Sequence, residues 1–303
     1  MIFEVLILGN SSATPVYKRY PTAQLINHNQ QLFLVDCGEG TQHRLVQHGI
    51  KTNKIQHIFI SHLHGDHYFG LAGLLSSMNL AGRERPLTVY GPKGLKEILD
   101  MHFLYAQSTI KYPLRFIETD PEKPALLLDT KEIKVQSFPL KHRIPCTGFR
   151  FDEKEKKPNL IKEKIEELQI PVGQLAEIKN GGDYIDTAGR IFTHEELTHP
   201  TPKLRSYAFC SDTRADDSYI PFIKNVSLLY HEATFLDELK DRAEITLHTT
   251  ALEAGEVAAA AQAGKLLIGH YSSRYKEFEP FLEEARSVFT NTELTVEGSS
   301  YSI

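Results

Sequence analysis

The sequence predicts an α/β protein in which two β-sheets pack face to face with helices on the outside. Two observations carry this. Short runs of branched and apolar residues alternate with turn residues in the first third of the chain, and the same pattern returns in the final third. Helix-length stretches lie between those runs, as expected when each sheet is covered on its outer face.

The first strands are expected at Phe3–Leu8, Ala23–Ile26 and Gln31–Val35, short, turn-linked and hence antiparallel. A helix follows at Glu39–Gln47, a strand at His57–Ile60 and an apolar helix at Tyr68–Leu80. Leu87–Tyr90 reads as a strand and Gly94–Gln107 as a helix opened by Pro92; further strands fit Leu114–Glu118, Ile133–Leu140 and Thr147–Phe151. From Asp152 to Asp183 the chain turns lysine- and glutamate-rich and is punctuated by Pro158, Pro171 and Gly181–Gly182, which marks an insertion. Within it Ile161, Ile165 and Leu168 recur at i, i+4 and i+7, the spacing of a short amphipathic helix. Such a segment either grips a partner or is a solvated surface excursion, and composition does not choose between them. In the final third, strands at Ser206–Cys210, Val226–Tyr230, Lys265–Ile268 and Glu293–Val296 alternate with helices near Tyr219–Lys224, over Thr250–Ala263 with a threonine N-cap, and over Pro280–Phe289. Residues 1–303 thus read as one domain with the stretch 152–183 inserted.

At 303 residues the chain can bury a large core. No apolar run approaches the roughly 18 residues of a membrane span, so no membrane partner is expected. The N-terminus lacks a basic leader, and Cys37, Cys146 and Cys210 are too few and too far apart for a disulfide framework. The expected compartment is the reducing cytoplasm. The net charge of −5 gives no overall attraction to nucleic acid, so any such partner must be held by local basic patches.

Fourteen histidines direct attention to where they cluster. In His62-Leu63-His64-Gly65-Asp66-His67 the chain leaves a strand into a turn that brings alternate side chains together, and Gly65 permits a backbone that a Cβ would oppose. Imidazole nitrogens with carboxylate oxygens are the donor set that zinc favours, and two such ions would use His62, His64, Asp66 and His67. Further ligands are expected directly after strands, where a scaffold aims side chains accurately: His142, Asp212 and His270.

With the segments DCGEGTQ (Asp36–Gln42), FCSDTR (Phe209–Arg214), HEATF (His231–Phe235), LHTT (Leu247–Thr250) and IGHYSSRY (Ile268–Tyr275), the histidine turn resembles the metallo-β-lactamase superfamily, and within it the ribonuclease Z branch of transfer-RNA 3′-processing endonucleases. The resemblance runs from Gly9 to Tyr275. It implies an αββα sandwich with two Zn²⁺ per subunit. One zinc would be held by His62, His64 and His142, the other by Asp66, His67 and His270, with Asp212 shared. It also implies a homodimer acting on precursor tRNA to remove the 3′ trailer and leave a 3′-hydroxyl. Asp66 would accept the proton of the attacking water and His248 would protonate the leaving oxygen, oriented by Glu232. Asp36 and Glu39 read either as groups that orient ligand histidines or as turn formers.

By the same resemblance the insertion is an arm that clasps tRNA. Lys154, Lys156, Lys157, Lys162, Lys164 and Lys179 supply its positive charge. The arm departs from the family pattern in placing Val172-Gly173 where Gly-Pro is expected. The loop Pro15–Tyr20 likewise only partly matches a family loop near the RNA 3′ end, since Tyr20 stands where asparagine is expected. Ser273 and Arg274, just after His270, are candidates for contact with a substrate phosphate. The alternative enzyme reading keeps the two-zinc site and changes the substrate to small or cyclic phosphodiesters.

Overall fold

The computed structural model describes residues 2–201 and 203–303. Its chain divides into two compact units. One runs to Asp129 and continues over Lys134–Asp152 and Arg205–Ile303; the other comprises Thr130–Ile133 and Glu153–Leu204.

The first sheet of the larger unit starts with β1 (Phe3–Gly9), β2 (Ala23–His28) and β3 (Gln31–Val35), paired antiparallel; β2 and β3 are joined by the tight turn Asn29-Gln30, β1 and β2 by a longer loop. It grows by parallel addition of β4 (Ile55–Phe59), β5 (Leu87–Gly91) and β6 (Leu114–Glu118), each reached through a helical or turn crossover. The second sheet opens with β7 (Ala125–Asp129), β8 (Ile133–Pro139) and β9 (Thr147–Glu153). After a hairpin in the smaller unit, β10 (Tyr184–Ile185) with β11 (Ile191–Phe192), it continues with β12 (Ser206–Cys210), antiparallel to β9. It ends with β13 (Leu228–Glu232), β14 (Leu266–Gly269) and β15 (Thr292–Leu294), which run parallel to β12. The last strand, β16 (Ser300–Ser302), returns to the first sheet beside β1.

Strand periodicity sorts the side chains into layers. On β4, Phe59 faces the second sheet, its ring centroid 5.4 Å from those of Phe149 and Phe151 in tilted and edge-on contact, whereas Ile58, and Ile60 just beyond the strand, face a helical layer that includes Leu71, Leu75 and Leu99. On β12, Phe209 packs on Tyr230 inside the sandwich while Ala208 and Cys210 face the helices Ala251–Ala260 and Glu279–Val288. The result is the four-layer αββα arrangement expected from the sequence.

Several expected elements differ in detail. The apolar helix Tyr68–Leu80 is two helices, Gly65–Tyr68 and Leu71–Leu80. The break follows from tertiary contact: the Gly70 N–H donates to the Cys37 carbonyl, and a Cβ at Gly70 would lie 2.2 Å from the Gly38 carbonyl oxygen. Gly70→Ala is therefore expected to destabilise the protein by about 1–3 kcal/mol, the usual cost of overpacking, read from urea denaturation. Strands β7 and β16 and the helix Lys240–Thr246 were not expected; the two strands lie at sheet edges, where burial pattern is weakest.

The smaller unit runs on past Asp183 to Leu204. It has its own small core of Ile170, Ile178, Tyr184 and Leu197, packed against Ile165 and Leu168 of the expected amphipathic helix, which spans Lys162–Glu167. Thr193 and Glu196 close a reciprocal capping box on its last helix, His194–Leu197. Its positive charges are partly neutralised in place: Lys156 pairs with Glu153 at 2.8 Å, Lys162 with Glu166 at 3.6 Å and Arg190 with Asp186 at 2.6 Å.

Candidate metal centre

Parallel strands bring their carboxyl ends to one edge, and the polar residues gather there. His62 lies just beyond β4, Asp212 two residues past β12, Glu232 at the end of β13 and His270 directly after β14. The loop between β8 and β9, which carries His142, reaches the same edge because β9 runs antiparallel to β12. Its closing residue, Thr147, donates its N–H to the Ser61 carbonyl at 3.1 Å.

The donors converge in two groups that share one carboxylate. His62 Nε2 and His142 Nε2 each lie 3.1 Å from His64 Nδ1, and they lie 3.6 and 3.8 Å from Asp212 Oδ2. Asp212 Oδ1 lies 3.3 Å from His67 Nε2 and 3.1 Å from His270 Nε2, and both nitrogens are 3.5 Å from Asp66 Oδ2. The donor atoms of His62, His64, His142 and Asp212 lie within 4.8 Å of one another, as do those of Asp66, His67 and His270 and those of Asp212, His248 and His270. His67 Nε2, His270 Nε2 and Asp212 Oδ1 are buried and have no hydrogen-bond partner among the described residues. Buried polar atoms are rarely left unpaired, so lone pairs from seven side chains pointing at two common centres fit a pair of divalent cations. Burial lowers the pKa of His62, His64 and His142, which keeps them as neutral imidazole donors.

Several of the donors make a further hydrogen bond to the surrounding chain. Asp36 is fully buried; its Oδ2 accepts from His67 Nδ1 at 2.7 Å and its Oδ1 accepts from the Ser61 N–H at 2.8 Å. This assigns Asp36 an orienting role, which the sequence left open. His142 Nδ1 donates to the Leu247 carbonyl at 3.0 Å, Thr234 Oγ1 lies 2.9 Å from His270 Nδ1, and Asp66 Oδ2 accepts from the Ala13 N–H at 2.6 Å. Asp36, Leu247, His270 and Ala13 all adopt positive φ without being glycine, local strain that the surrounding packing sustains at this edge.

His248 adjoins the donors, with its ring centroid 5.1 Å from that of His142 and 5.6 Å from that of His270. Its Nδ1 lies 2.8 Å from Glu232 Oε1. Glu232 is wholly buried and also accepts from the N–H groups of Thr213 and Thr234 and from the Thr234 hydroxyl. Burial opposes protonation of His248, but the Glu232 carboxylate more than offsets it and the imidazole is pushed up to about 9. Burial alone would raise Glu232; its partner His248 holds it below the usual range.

His64, Asp66, Asp212 and His270 line a cleft of about 540 Å³ that also receives Glu39, Arg143, Arg242, Ser273, Arg274 and Phe69. Arg143, Arg242, Phe69, Thr234 and Ser61 were not singled out in the sequence. Ser61 directly precedes the histidine turn, Thr234 lies within HEATF and Arg143 directly follows His142, but Arg242 carries no local signal, because only the fold brings it to the cleft. Lys154, Lys156, Lys157 and Lys179 belong to the smaller unit.

Comparison with known proteins agrees with this architecture. A family model described as anti-Pycsar protein Apyc1 matches residues 3–155. The chain is 49% identical over 302 residues to ribonuclease Z of Cytophaga hutchinsonii, covering 99% of this chain and 96% of that one. It is 41% identical to ribonuclease Z of Parabacteroides distasonis, with 99% of each chain covered. Among solved structures, the short form of human tRNase Z superposes with a TM-score of 0.71 at 27% identity over 99% of both chains. The metallo-β-lactamase fold protein YhfI of Bacillus subtilis superposes with a TM-score of 0.70 at 20% identity over the whole of both chains, a likeness of fold. The chain therefore belongs over residues 3–155 to the family that the Apyc1 model describes, and over almost its full length to the ribonuclease Z family of hydrolytic endoribonucleases in the metallo-β-lactamase superfamily.

Proposed function

We propose that the protein is a zinc-dependent endoribonuclease that cuts the 3′ trailer from precursor tRNA and leaves a 3′-hydroxyl on the tRNA. The observation that carries this reading is the pair of donor groups joined through Asp212, in a chain similar to ribonuclease Z from end to end. The imidazole and carboxylate donors suit zinc: His62, His64, His142 and Asp212 would hold one ion, and Asp66, His67, His270 and Asp212 the other. When bound, the two cations supply Lewis acidity towards a phosphodiester and activate water.

The chain's own residues complete the step. A water oxygen bonds to phosphorus as the bond from phosphorus to the 3′-oxygen breaks; Asp66 takes the water's proton and His248 gives one to the leaving 3′-oxygen. Glu232 keeps His248 protonated and fixes which nitrogen faces the cleft, since its carboxylate occupies Nδ1. Ser273 and Arg274, which line the cleft, would meet a substrate phosphate.

The smaller unit would act as the arm that holds tRNA through Lys154, Lys156, Lys157 and Lys179, in a homodimer of the kind that the family resemblance implies. Lys157→Glu with Lys179→Glu is expected to raise KM for the tRNA several-fold, less at high salt, and to leave hydrolysis of a small phosphodiester unchanged. An equal loss on both substrates would refute a pure binding role. A cytoplasmic location is supported by three cysteines that are free and buried. Among the described residues no helix is long and apolar enough to cross a membrane.

The test is cleavage of a 3′-extended tRNA transcript before and after chelation and zinc add-back, with the new 3′ end mapped by sequencing. A zinc-restored cut at or just beyond the discriminator nucleotide is expected. No cut, with a small phosphodiester still hydrolysed, would move the substrate to small or cyclic diesters.

A further inference from the structure

Phe69 departs from every other phenylalanine in the chain. The 16 phenylalanines are buried or half-buried except this one, which is 64% exposed. The exposure follows from the helix break at Gly70, which takes Phe69 out of the apolar helix and leaves it at the end of the histidine turn. Its ring lies on the backbone of that turn: a Cβ at Gly65 would be 2.2 Å from Cε2 and 2.4 Å from Cζ. The Tyr68 ring packs edge-on beside it, with centroids 5.1 Å apart at 65°. Gly65 stands between the donors His64 and Asp66, so the ring is held rigidly beside the metal centre and lines the cleft that holds His248.

The same cleft receives three arginines, Arg143, Arg242 and Arg274, with no aspartate or glutamate lining it other than Asp66, Asp212 and Glu39. Guanidinium groups suit phosphate oxygens, and an exposed, immobilised aromatic face beside them is what a nucleobase stacks on. A single exposed apolar residue is ordinary on a protein surface; one seated on a metal-binding turn inside a cation-lined cleft is not.

We propose that Phe69 is a stacking platform for one of the two nucleobases that flank the scissile phosphate. The inference rests on the endoribonuclease reading above. It makes Phe69 a substrate-positioning residue: the stacked base fixes the sugar-phosphate between the donors and His248. Every base offers a π-face, so the platform is tolerant of sequence but requires a base to be present.

The test is a double-substitution cycle on the zinc-loaded, full-length protein. Wild type, Phe69→Leu and Phe69→Trp are each given a 3′-extended tRNA that is intact, or that lacks the base at the last retained or the first removed nucleotide. Phe69→Leu keeps apolar bulk over Gly65 and so guards against misfolding, which melting temperature and zinc content check. For wild type and Phe69→Trp, one of the two abasic substrates is expected to lose about 10-fold in kcat/KM, of the order known for stacking one base. Phe69→Leu is expected to lose a similar factor on intact RNA and nothing further on that abasic substrate. Independent losses at both flanking positions, or no loss in Phe69→Leu with a full zinc content, would overturn the proposal. Failure of wild type to cut the intact transcript would instead overturn the endoribonuclease reading itself.

Discussion

Asp212→Ala is expected to empty both halves of the metal centre at once and to bring RNA cleavage below detection. The two carboxylate oxygens of Asp212 face different groups, Oδ1 towards His67 and His270 and Oδ2 towards His62 and His142. Four ligands sharing a zinc affinity of about 10–16 kcal/mol contribute roughly 3 kcal/mol each, so each ion should bind about 10²-fold more weakly. His142→Ala or His270→Ala removes a donor from one group only and should weaken one ion while sparing the other. Metal content by mass spectrometry at graded chelator separates the cases. Retention of one ion at wild-type affinity in Asp212→Ala would show that the carboxylate is not shared.

The second large effect is expected at His248. His248→Ala should lower kcat by about 10²–10⁴ while zinc content stays at the wild-type level, the range typical of a lost general acid. In the wild type, kcat should fall on the alkaline side as His248 gives up its proton. Glu232 holds that proton to about 9, against an ordinary value of 6.5. Positive charge bound nearby favours the neutral imidazole and a substrate phosphate the protonated one, whereas Glu232→Gln removes the carboxylate that holds the proton and should move this limb lower. Stability carries the same signature with a definite sign. A pKa raised on folding contributes stability that is full below about 6.5 and is lost as pH rises through about 9. Melting temperature of the metal-free protein should therefore decline across that window, and the decline should be shallower in His248→Ala; His67, whose pKa the carboxylates of Asp212, Asp66 and Asp36 also raise against burial, contributes with the same sign. A wild-type rate in that variant would remove His248 from the chemistry.

Much of the centre could be read from the chain because its donors are either packed into one turn or placed directly after strands. His62, His64, Asp66 and His67 declare themselves by density; His142, Asp212 and His270 do so by following SFPLK, YAFCS and LLIG. Layer order was legible for a related reason, since strand-rich thirds of the chain separated by helix-length stretches call for two sheets covered on their outer faces by helices. What escaped depends on contacts between segments far apart in sequence. Nothing local to Tyr68–Leu80 says that Gly70 must touch Gly38, so the helix break and the exposure of Phe69 were invisible. Arg242 looks like an ordinary surface arginine until the fold carries it to the cleft. The insertion seemed to end at Asp183 because its charge density drops there, whereas its small core also draws on Tyr184, Phe192 and Leu197.

The spread of the donors along the chain has a consequence for how the protein is made. The histidine turn leaves the ribosome early, while His270 follows about 200 residues later, a delay of roughly 10–40 s at typical elongation rates. During that interval the nascent chain shows a dense metal-binding peptide with neither Asp212 nor His270 to complete a centre. Any cation captured then is held by a partial set of ligands and exchanges readily. Final metal identity would then be decided after synthesis, once Asp212 and His270 have joined the histidine turn.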